Sequence, residues 1–359
     1  MSQDVQRQVG RIERACRAVG HMRLMEVCGT HTVSLFRSGV KSLLPEALEL
    51  ISGPGCPVCV TAQGYIDAAG ELAGRPDVTI CTYGDMVRVP GASGSLAERR
   101  AGGGDVRVVY SAREAVRLAR RQVGRQVVFL AVGFETTAPA TAAAVLEARA
   151  AGLTNFTILC DHKLVVPAME ALLAGGQARI DGFLCPGHVS VVIGADAYRP
   201  IAERHGRPCV VAGFEPAGML EAIARLAEQI AAGEAKVDNA YGVAVQPAGN
   251  PAARACMEQV FQPAPAVWRA MGTLDASGLA LRPELAAFDA AGRFGVDTTA
   301  DYEPPGCRCG DVIQGKATPA ECSLFGTRCT PAEPVGPCMV SSEGTCAAWY
   351  KYRPVRSKA

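Results

Sequence analysis

The sequence has little aromatic character, 6% of its 359 residues, and no surplus of charge, since 36 Lys and Arg stand against 35 Asp and Glu. Without a basic field nothing holds a nucleic-acid backbone or an anionic membrane surface, and neither partner is expected. No stretch reaches the roughly 18 apolar residues of a membrane span, and the opening MSQDVQRQVGRIERACRAVG has no apolar core of signal-peptide length. The expected compartment is the cytoplasm. The G-x-G-x-x-G and G-x-x-x-x-G-K-S/T fingerprints are also missing, which argues against dinucleotide or P-loop nucleotide chemistry.

What the chain has in excess is cysteine, fifteen in all. Cytosolic thiols are kept reduced, so these do not read as a disulfide framework, and thiol chemistry or metal binding becomes the leading expectation. The length and a hydrophobic content of 49% allow a sizeable core divided over two or three domains.

Apolar residues at helical spacing (Val9, Ile12, Ala15, Val19) predict a helix over 5–20. A short strand or turn through Leu24, Met25 and Val27 then presents Cys28. From LELIS (48–52) onward, short β-rich runs alternate with Ala- and Leu-rich helical ones: VTICTY, VRVVYS, VVFLAV, FTILC (156–160), DGFLC (181–185) and CVVAGF (209–214). That is the pattern of βα units and a parallel sheet. VVFLAVGFETTAPATAAAVLEA and CVVAGFEPAGMLEAIARLAE share strand, Gly-Phe-Glu, Pro-containing loop and helix, with Glu135 and Glu215 in equivalent places. Two similar lobes are expected. From Tyr302 to Trp349 the texture changes to six cysteines among prolines and glycines, a stretch that needs a metal or cross-links to hold a shape.

Four groups of residues carry chemistry. In the C-terminal set, Cys307, Cys322, Cys329 and Cys346 read C-x14-C-x6-C-x16-C and leave Cys309 and Cys338 over. Four thiolates from separated loops suit an iron–sulfur cubane. Structural zinc is the alternative, but its usual paired knuckles are missing from this module. Cys309 and Cys338 read as a redox-active dithiol or as inert core thiols. The expected fold class is therefore α/β, two similar parallel-sheet lobes plus a small cysteine-rich iron–sulfur domain. Its expected divisions are 1–45, an N-terminal segment presenting Cys28; 46–150, a first lobe; 151–250, a second lobe; and 251–359, the cluster domain.

The second group is Cys56 and Cys59, a C-x-x-C directly after LELIS, where one thiol is acidified by local dipoles and the other resolves a disulfide. Half of a zinc site is its alternative, with no second C-x-x-C to complete it. The third is Cys28-Gly29-Thr30-His31, a thiol and an imidazole three residues apart. Cys28 reads as a nucleophile, a metal ligand or a buried thiol, and His31 as a base or ligand or as a hydrogen-bonded core residue. The fourth is a set of polar loops at expected strand ends: Tyr83 to Asp85, Gly133 to Thr137, Asp161 to Lys163 and Pro186 to Ser190. Open α/β sheets bind ligands beyond the carboxyl ends of their strands, so these loops are placed to line a cleft. Glu135, Asp161, Lys163 and His188 are the candidates there for proton handling or ligand contact, while Thr136 and Ser190 are plausible helix caps. Cys16, Cys81, Cys160, Cys185, Cys209 and Cys256 read mostly as core thiols.

Taken in chain order, MEVCGTHT, GPGCPVC, GFETT, PGHVS and the C-x14-C-x6-C-x16-C series resemble the motifs of the HypD family of nickel–iron hydrogenase maturation factors, over nearly the whole chain. The resemblance implies a scaffold that works with a small HypC-type chaperone. On it, iron receives its cyanide and carbon monoxide ligands, Fe(CN)2CO assembly, before delivery to the hydrogenase large subunit. A HypE-type protein supplies the cyanide and is itself charged from carbamoyl phosphate by a HypF-type protein. The family fold implies two similar α/β domains and a third that bears a 4Fe-4S cluster. Carried over by position, Cys28 binds the iron jointly with the chaperone's terminal cysteine, with His31 beside it. Cys56 and Cys59 become the thiol–disulfide pair of the cleft and candidate metal contacts. Cys307, Cys322, Cys329 and Cys346 hold the cluster, and Cys309 and Cys338 resemble the accessory dithiol of ferredoxin–thioredoxin reductase. Two rivals remain: a cluster-dependent disulfide reductase of that type, in which Cys28 is dispensable, and a zinc-stabilised binding module.

Overall fold

The computed structural model describes residues 3–176 and 179–352. Eleven strands occur in these segments: β1 (Met22–Glu26), β2 (Leu48–Ser52), β3 (Val78–Thr82), β4 (Asp105–Val108), β5 (Gln126–Gly133), β6 (Phe156–His162), β7 (Gly182–Pro186), β8 (Cys209–Ala212), β9 (Val237–Asn239), β10 (Phe261–Trp268) and β11 (Gly272–Leu281). The apolar runs singled out in the sequence form β2 to β8. Strands β3, β7 and β8 are buried along their whole length, as parallel strands covered on both faces must be.

Two parallel sheets result, one of five strands in the order β2-β1-β7-β8-β9 and one of four in the order β4-β3-β5-β6. The α/β class with parallel sheets is as expected, but the strand pairing crosses the linear divisions. Strands β1 and β2, expected in the N-terminal segment and the first lobe, pair with each other, and β1 pairs with β7 in the five-stranded sheet. Strand β6, expected in the second lobe, pairs with β5. The hairpin β10–β11, expected in the cluster domain, packs against β6. Alternation along a sequence identifies strands but not their partners, because neighbours in the chain are neighbours in space only about two-thirds of the time.

Each sheet has one place where the strand order reverses. In the five-stranded sheet it lies between β1 and β7, and in the four-stranded sheet between β3 and β5. Such a switch leaves a crevice at the carboxyl ends of the two strands, because the connections leave in opposite directions. The core follows the same plan. One cluster, including Ile12, Leu24, Leu220 and Ile223, lies where the helix Gln3–Val19 packs on the helix Pro216–Ala231. Another, including Val116, Phe129, Val145 and Phe156, backs the four-stranded sheet. The third runs between the sheets into the C-terminal module and includes Met25, Cys56, Cys59, Leu130, Phe183, Trp268, Cys309 and Cys338. Of the expected core thiols, Cys16, Cys81, Cys185 and Cys209 are buried, while Cys160 and Cys256 are half-buried. No helix among the described residues is long and apolar enough to cross a membrane.

Candidate functional site

Cys28 follows β1 and caps the helix Gly29–Arg37 in an extended conformation, so it sits at the switch of the five-stranded sheet. It is 2% exposed. Two glycines allow the surrounding chain this close. A Cβ on Gly55 would collide with the backbone of Val27 and Cys28, and one on Gly29 would lie 2.5 Å from the Glu343 carbonyl oxygen. The Gly29 N–H donates to the Gly55 carbonyl (3.2 Å), which ties the GPGCPVC loop to the CGTH turn.

The imidazole that faces the Cys28 sulfur is His188, with Nε2 at 3.9 Å and Nδ1 at 4.0 Å. It follows β7, the other strand of the same switch. His31, expected beside Cys28, turns its ring the other way: Nε2 bonds the Gly213 carbonyl (2.9 Å) and the ring packs on Phe214. Phe214 stands between the two imidazoles, its centroid 4.8 Å from that of His31 and 5.0 Å from that of His188. Side chains three apart meet only when both residues are helical, and Cys28 is the extended N-cap outside the helix that carries His31, so closeness in sequence does not bring the two side chains together. Burial disfavours charge throughout this pocket. It pushes the Cys28 thiol well up, lowers His31 and His188 to about 4, and raises the Glu26 carboxyl to about 7. A cation bound at Cys28 would reverse this balance, since coordination deprotonates a thiol.

Cys56 and Cys59 are joined by a disulfide. Cys56 caps the short helix Pro57–Val60, its sulfur accepting from the Cys59 N–H (3.2 Å). In this oxidised form neither is a thiolate, so the metal role expected of them requires the bond to be reduced first.

Both switch points open into one cavity of about 510 Å³. The β1–β7 side contributes Thr30, Gly55, Pro57 and His188, and the β3–β5 side contributes Tyr83, Asp85, Phe134 and Thr136. The C-terminal module closes the third side. Ser341 Oγ, Ser342 N and Ser342 Oγ all donate to Asp85 Oδ2 (3.1, 2.9 and 2.9 Å), and Thr30 Oγ1 donates to Glu343 Oε1 (2.5 Å). The remaining loop candidates are elsewhere. Glu135 is 4% exposed; Oε1 accepts from the Val165 N–H (2.9 Å) at the start of the helix Val165–Gly175, Oε2 has no partner, and burial raises the carboxyl to about 7. Glu215, its counterpart in the sequence echo, is exposed. Asp161 and Lys163 are ion-paired, Lys163 buried over the Trp268 ring and Asp161 half-buried, and Lys163 bridges to Gly278 of β11. Thr136 and Ser190 cap no helix; the Ser190 hydroxyl donates to the Pro186 carbonyl (2.7 Å) and bonds Tyr198 Oη (3.0 Å).

In the C-terminal module the sulfurs of Cys309 and Cys338 are 2.7 Å apart. Hydrogen bonds from Cys307 and Cys338 hold the Cys309 thiol below its ordinary range, while the bond to Cys309 pushes Cys338 up. Cys307 and Cys346 flank it, bonding Cys309 and Cys338 respectively. Cys322 Sγ lies 3.8 Å from the Gly306 carbonyl, and Cys329 Sγ accepts from the Val335 N–H (3.4 Å). Among the described residues no three His, Cys, Asp or Glu side chains are gathered to clasp a single metal ion. The donor set, four soft thiols in one module, suits an iron–sulfur cluster, and a zinc ion takes the same ligand type. Two details suit that use: a backbone N–H aimed at a ligand sulfur, and Gly336, where a Cβ would fill the space 2.7 Å from Cys307 Sγ.

Sequence reasoning missed Phe214, Tyr241 and the Ser341–Glu343 turn. The signal for Tyr241 was two glycines, since a Cβ at Gly187 or Gly213 would strike its ring at 2.8 Å.

A family model described as HypD, hydrogenase formation hypA family, matches residues 3–353. The chain is similar to the hydrogenase maturation factor HypD of Azotobacter vinelandii, 48% identical over 92% of this chain and 89% of that one. It is similar to those of Rhodobacter capsulatus (46%; 94% and 90%) and Escherichia coli K12 (46%; 94% and 91%). Among solved structures, D-threo-3-hydroxyaspartate dehydratase from Delftia sp. HT23 aligns over 82% of this chain and 85% of that one at 14% identity, with a TM-score of 0.16 that carries no fold argument.

Proposed function

The chain belongs to the HypD family of hydrogenase maturation factors, and from this premise we propose that it is the scaffold on which one iron ion receives cyanide and carbon monoxide. The observation that carries the proposal is the convergence of CGTH, GPGCPVC, GFETT, PGHVS and the Ser341–Glu343 turn on a single cavity beside Cys28. Cys28 supplies one thiolate to the substrate iron, and the terminal cysteine of a HypC-type chaperone supplies a second. Thiolates raise electron density at iron, which diatomic ligands require, and the burial of Cys28 shields its sulfur from water. The neutral His188 ring, 3.9 Å from the sulfur, is positioned to receive the proton that Cys28 gives up. Cyanide arrives from a HypE-type protein, and the finished iron goes to the hydrogenase large subunit.

Cys307, Cys322, Cys329 and Cys346 would hold the 4Fe-4S cluster, which when bound supplies electrons one at a time. Cys309 and Cys338 form a dithiol, and the helices that bear them, Cys309–Ile313 and Pro337–Val340, both pack against the helix of Cys59. That packing supports a relay of two electrons from one thiol pair to the other.

The test is an infrared spectrum, in the triple-bond stretching region, of the chain isolated without oxygen together with its chaperone. Cyanide and carbon monoxide bands present in wild type and lost in Cys28→Ala are the expected result. A brown, cluster-bearing preparation with no such bands would favour instead the cluster-dependent disulfide reductase, the reading that the packing of the two thiol pairs also suits.

A further inference from the structure

Arg269 has 0% of its surface exposed, and among the described residues the one side chain it hydrogen-bonds is neutral. Nη1 donates to Gln63 Oε1 (2.9 Å), while Nε and Nη2 have no hydrogen-bond partner among the described residues. Among the described residues no carboxylate stands at ion-pair distance from it. Asp161 and Glu303 lie within electrostatic reach of it but neither pairs with it: Asp161 is engaged by Lys163, and Glu303 accepts from the Gly310 N–H (2.8 Å). A buried guanidinium with idle donors is costly, so it marks a place where negative charge is due to appear.

Its position says which charge. Arg269 opens the turn between β10 and β11. Its backbone N–H donates to the carbonyl of Val60, next to Cys59 (2.9 Å). The following residue packs on Gly310, next to Cys309: a Cβ on Gly310 would strike the Ala270 methyl, and Gln314 Nε2 donates to the Ala270 carbonyl (2.9 Å). Ala270 adopts a φ of 61°, a left-handed conformation uncommon for alanine and held here by these contacts. The turn is thus wedged between the helix of Cys59 and the helix of Cys309.

We propose that Arg269 is the fixed counter-cation of thiol–disulfide exchange between Cys309/Cys338 and Cys56–Cys59, a positioning residue that sets the reduction potential of both pairs. The proposal rests on the relay reading above. In the exchange, the Cys309 thiolate attacks one sulfur of the Cys56–Cys59 bond, which breaks and releases the other as a thiolate. That thiolate takes the Cys338 proton, and the Cys338 sulfur attacks Cys309, closing the Cys309–Cys338 bond and releasing the second sulfur of the first pair. Two electrons move, one proton moves, and one negative sulfur is present at every stage. A single buried cation matches that single charge throughout, and no outside oxidant or reductant enters.

The experiment equilibrates the full chain, purified without oxygen, in dithiothreitol buffers of graded reduced-to-oxidised ratio. Both pairs are read by differential alkylation and peptide mass spectrometry. Arg269→Met removes the charge, Arg269→Lys keeps it, and Gln63→Ala removes the hydrogen bond while leaving the charge. A cation favours the reduced, anionic form, so Arg269→Met should need a buffer ratio about tenfold higher to half-reduce each pair, ~30 mV for a two-electron couple. Arg269→Lys and Gln63→Ala should stay within about threefold of wild type. An unchanged midpoint in Arg269→Met, with both pairs still cycling, overturns the role of Arg269 and leaves the relay standing. If Arg269→Met does not fold, a tenfold shift in Arg269→Lys or Gln63→Ala overturns it equally. A wild-type chain in which Cys309 and Cys338 form no bond at any ratio overturns relay and proposal together.

Discussion

Replacing Gly55 with alanine puts a methyl group where the structure leaves no room. Its Cβ would lie under 3.0 Å from three backbone atoms, Cys28 N, Cys28 Cα and Val27 C. None is the end of a side chain that can swing aside, so either the GPGCPVC loop or the end of β1 must move. Overpacking a core costs about 1–3 kcal/mol, and rigid backbone neighbours place this site at the upper end, about 3 kcal/mol. In a chain of this size each kcal/mol corresponds to about 2 °C, so the melting temperature should fall by about 6 °C. The same movement stretches the Gly29–Gly55 hydrogen bond that fixes Cys28, and alkylation of this otherwise buried thiol should accelerate about tenfold. Gly218→Ala is the control. It lies in the helix Pro216–Ala231 with nothing within 4 Å of its Cβ position, and it should stabilise by about 0.5–1 kcal/mol. Thermal scanning and peptide-resolved alkylation read both effects. If Gly55→Ala melts with wild type and Cys28 stays unreactive, the loop is not a rigid wall and the reasoning fails.

Three further outcomes follow from named contacts. Glu135 is raised by burial from about 4.5 to about 7. The folded chain therefore keeps a proton that the unfolded chain loses: the contribution is full below about pH 4.5 and lost as pH rises through 7, up to about 3 kcal/mol. Urea titrations should show wild type losing stability relative to Glu135→Gln across that window, and a difference that is flat with pH would refute the assignment. Asp85→Ala removes the acceptor of three hydrogen bonds from Ser341 and Ser342, worth about 1–3 kcal/mol, so amide exchange at Ser342 and Glu343 should quicken about tenfold or more. Cys322→Ser and Cys329→Ser should each lose bound iron, sulfide and brown colour while Cys309→Ser retains them; stoichiometric zinc in a colourless wild type would point to the zinc-stabilised module.

Much of the secondary structure was legible because parallel strands buried on both faces leave unbroken apolar runs, as in VVFLAV and CVVAGF. The loops that line the cavity were legible for a related reason, since strand ends in open α/β sheets are where ligands bind. Partners were not. Nothing in LELIS says that its neighbour β1 will also pair with β7, 158 residues further along the chain (Leu24 opposite Gly182), and only that pairing brings His188 to Cys28. His31 was the natural guess because it is close in the chain. Asp161 and Lys163 were misplaced for the opposite reason: they sit at a strand end, but the hairpin β10–β11, which left no clear mark in the sequence, covers them.

The C-terminal module is better understood as a wall of the cavity than as an appendage. Its own sequence forms only short helices and turns, so little of its shape comes from regular structure. Yet the turn between Cys338 and Cys346 is the segment that bonds Asp85 on one sheet and Thr30 on the other, and the Glu343 backbone rests on Gly29. Gly344 permits this, because a Cβ there would strike the Cys338 carbonyl. Only Met339 and Val340 separate Cys338 from the turn that closes the space beside Cys28. The cysteines of the module and the space beside Cys28 are thus joined by covalent structure.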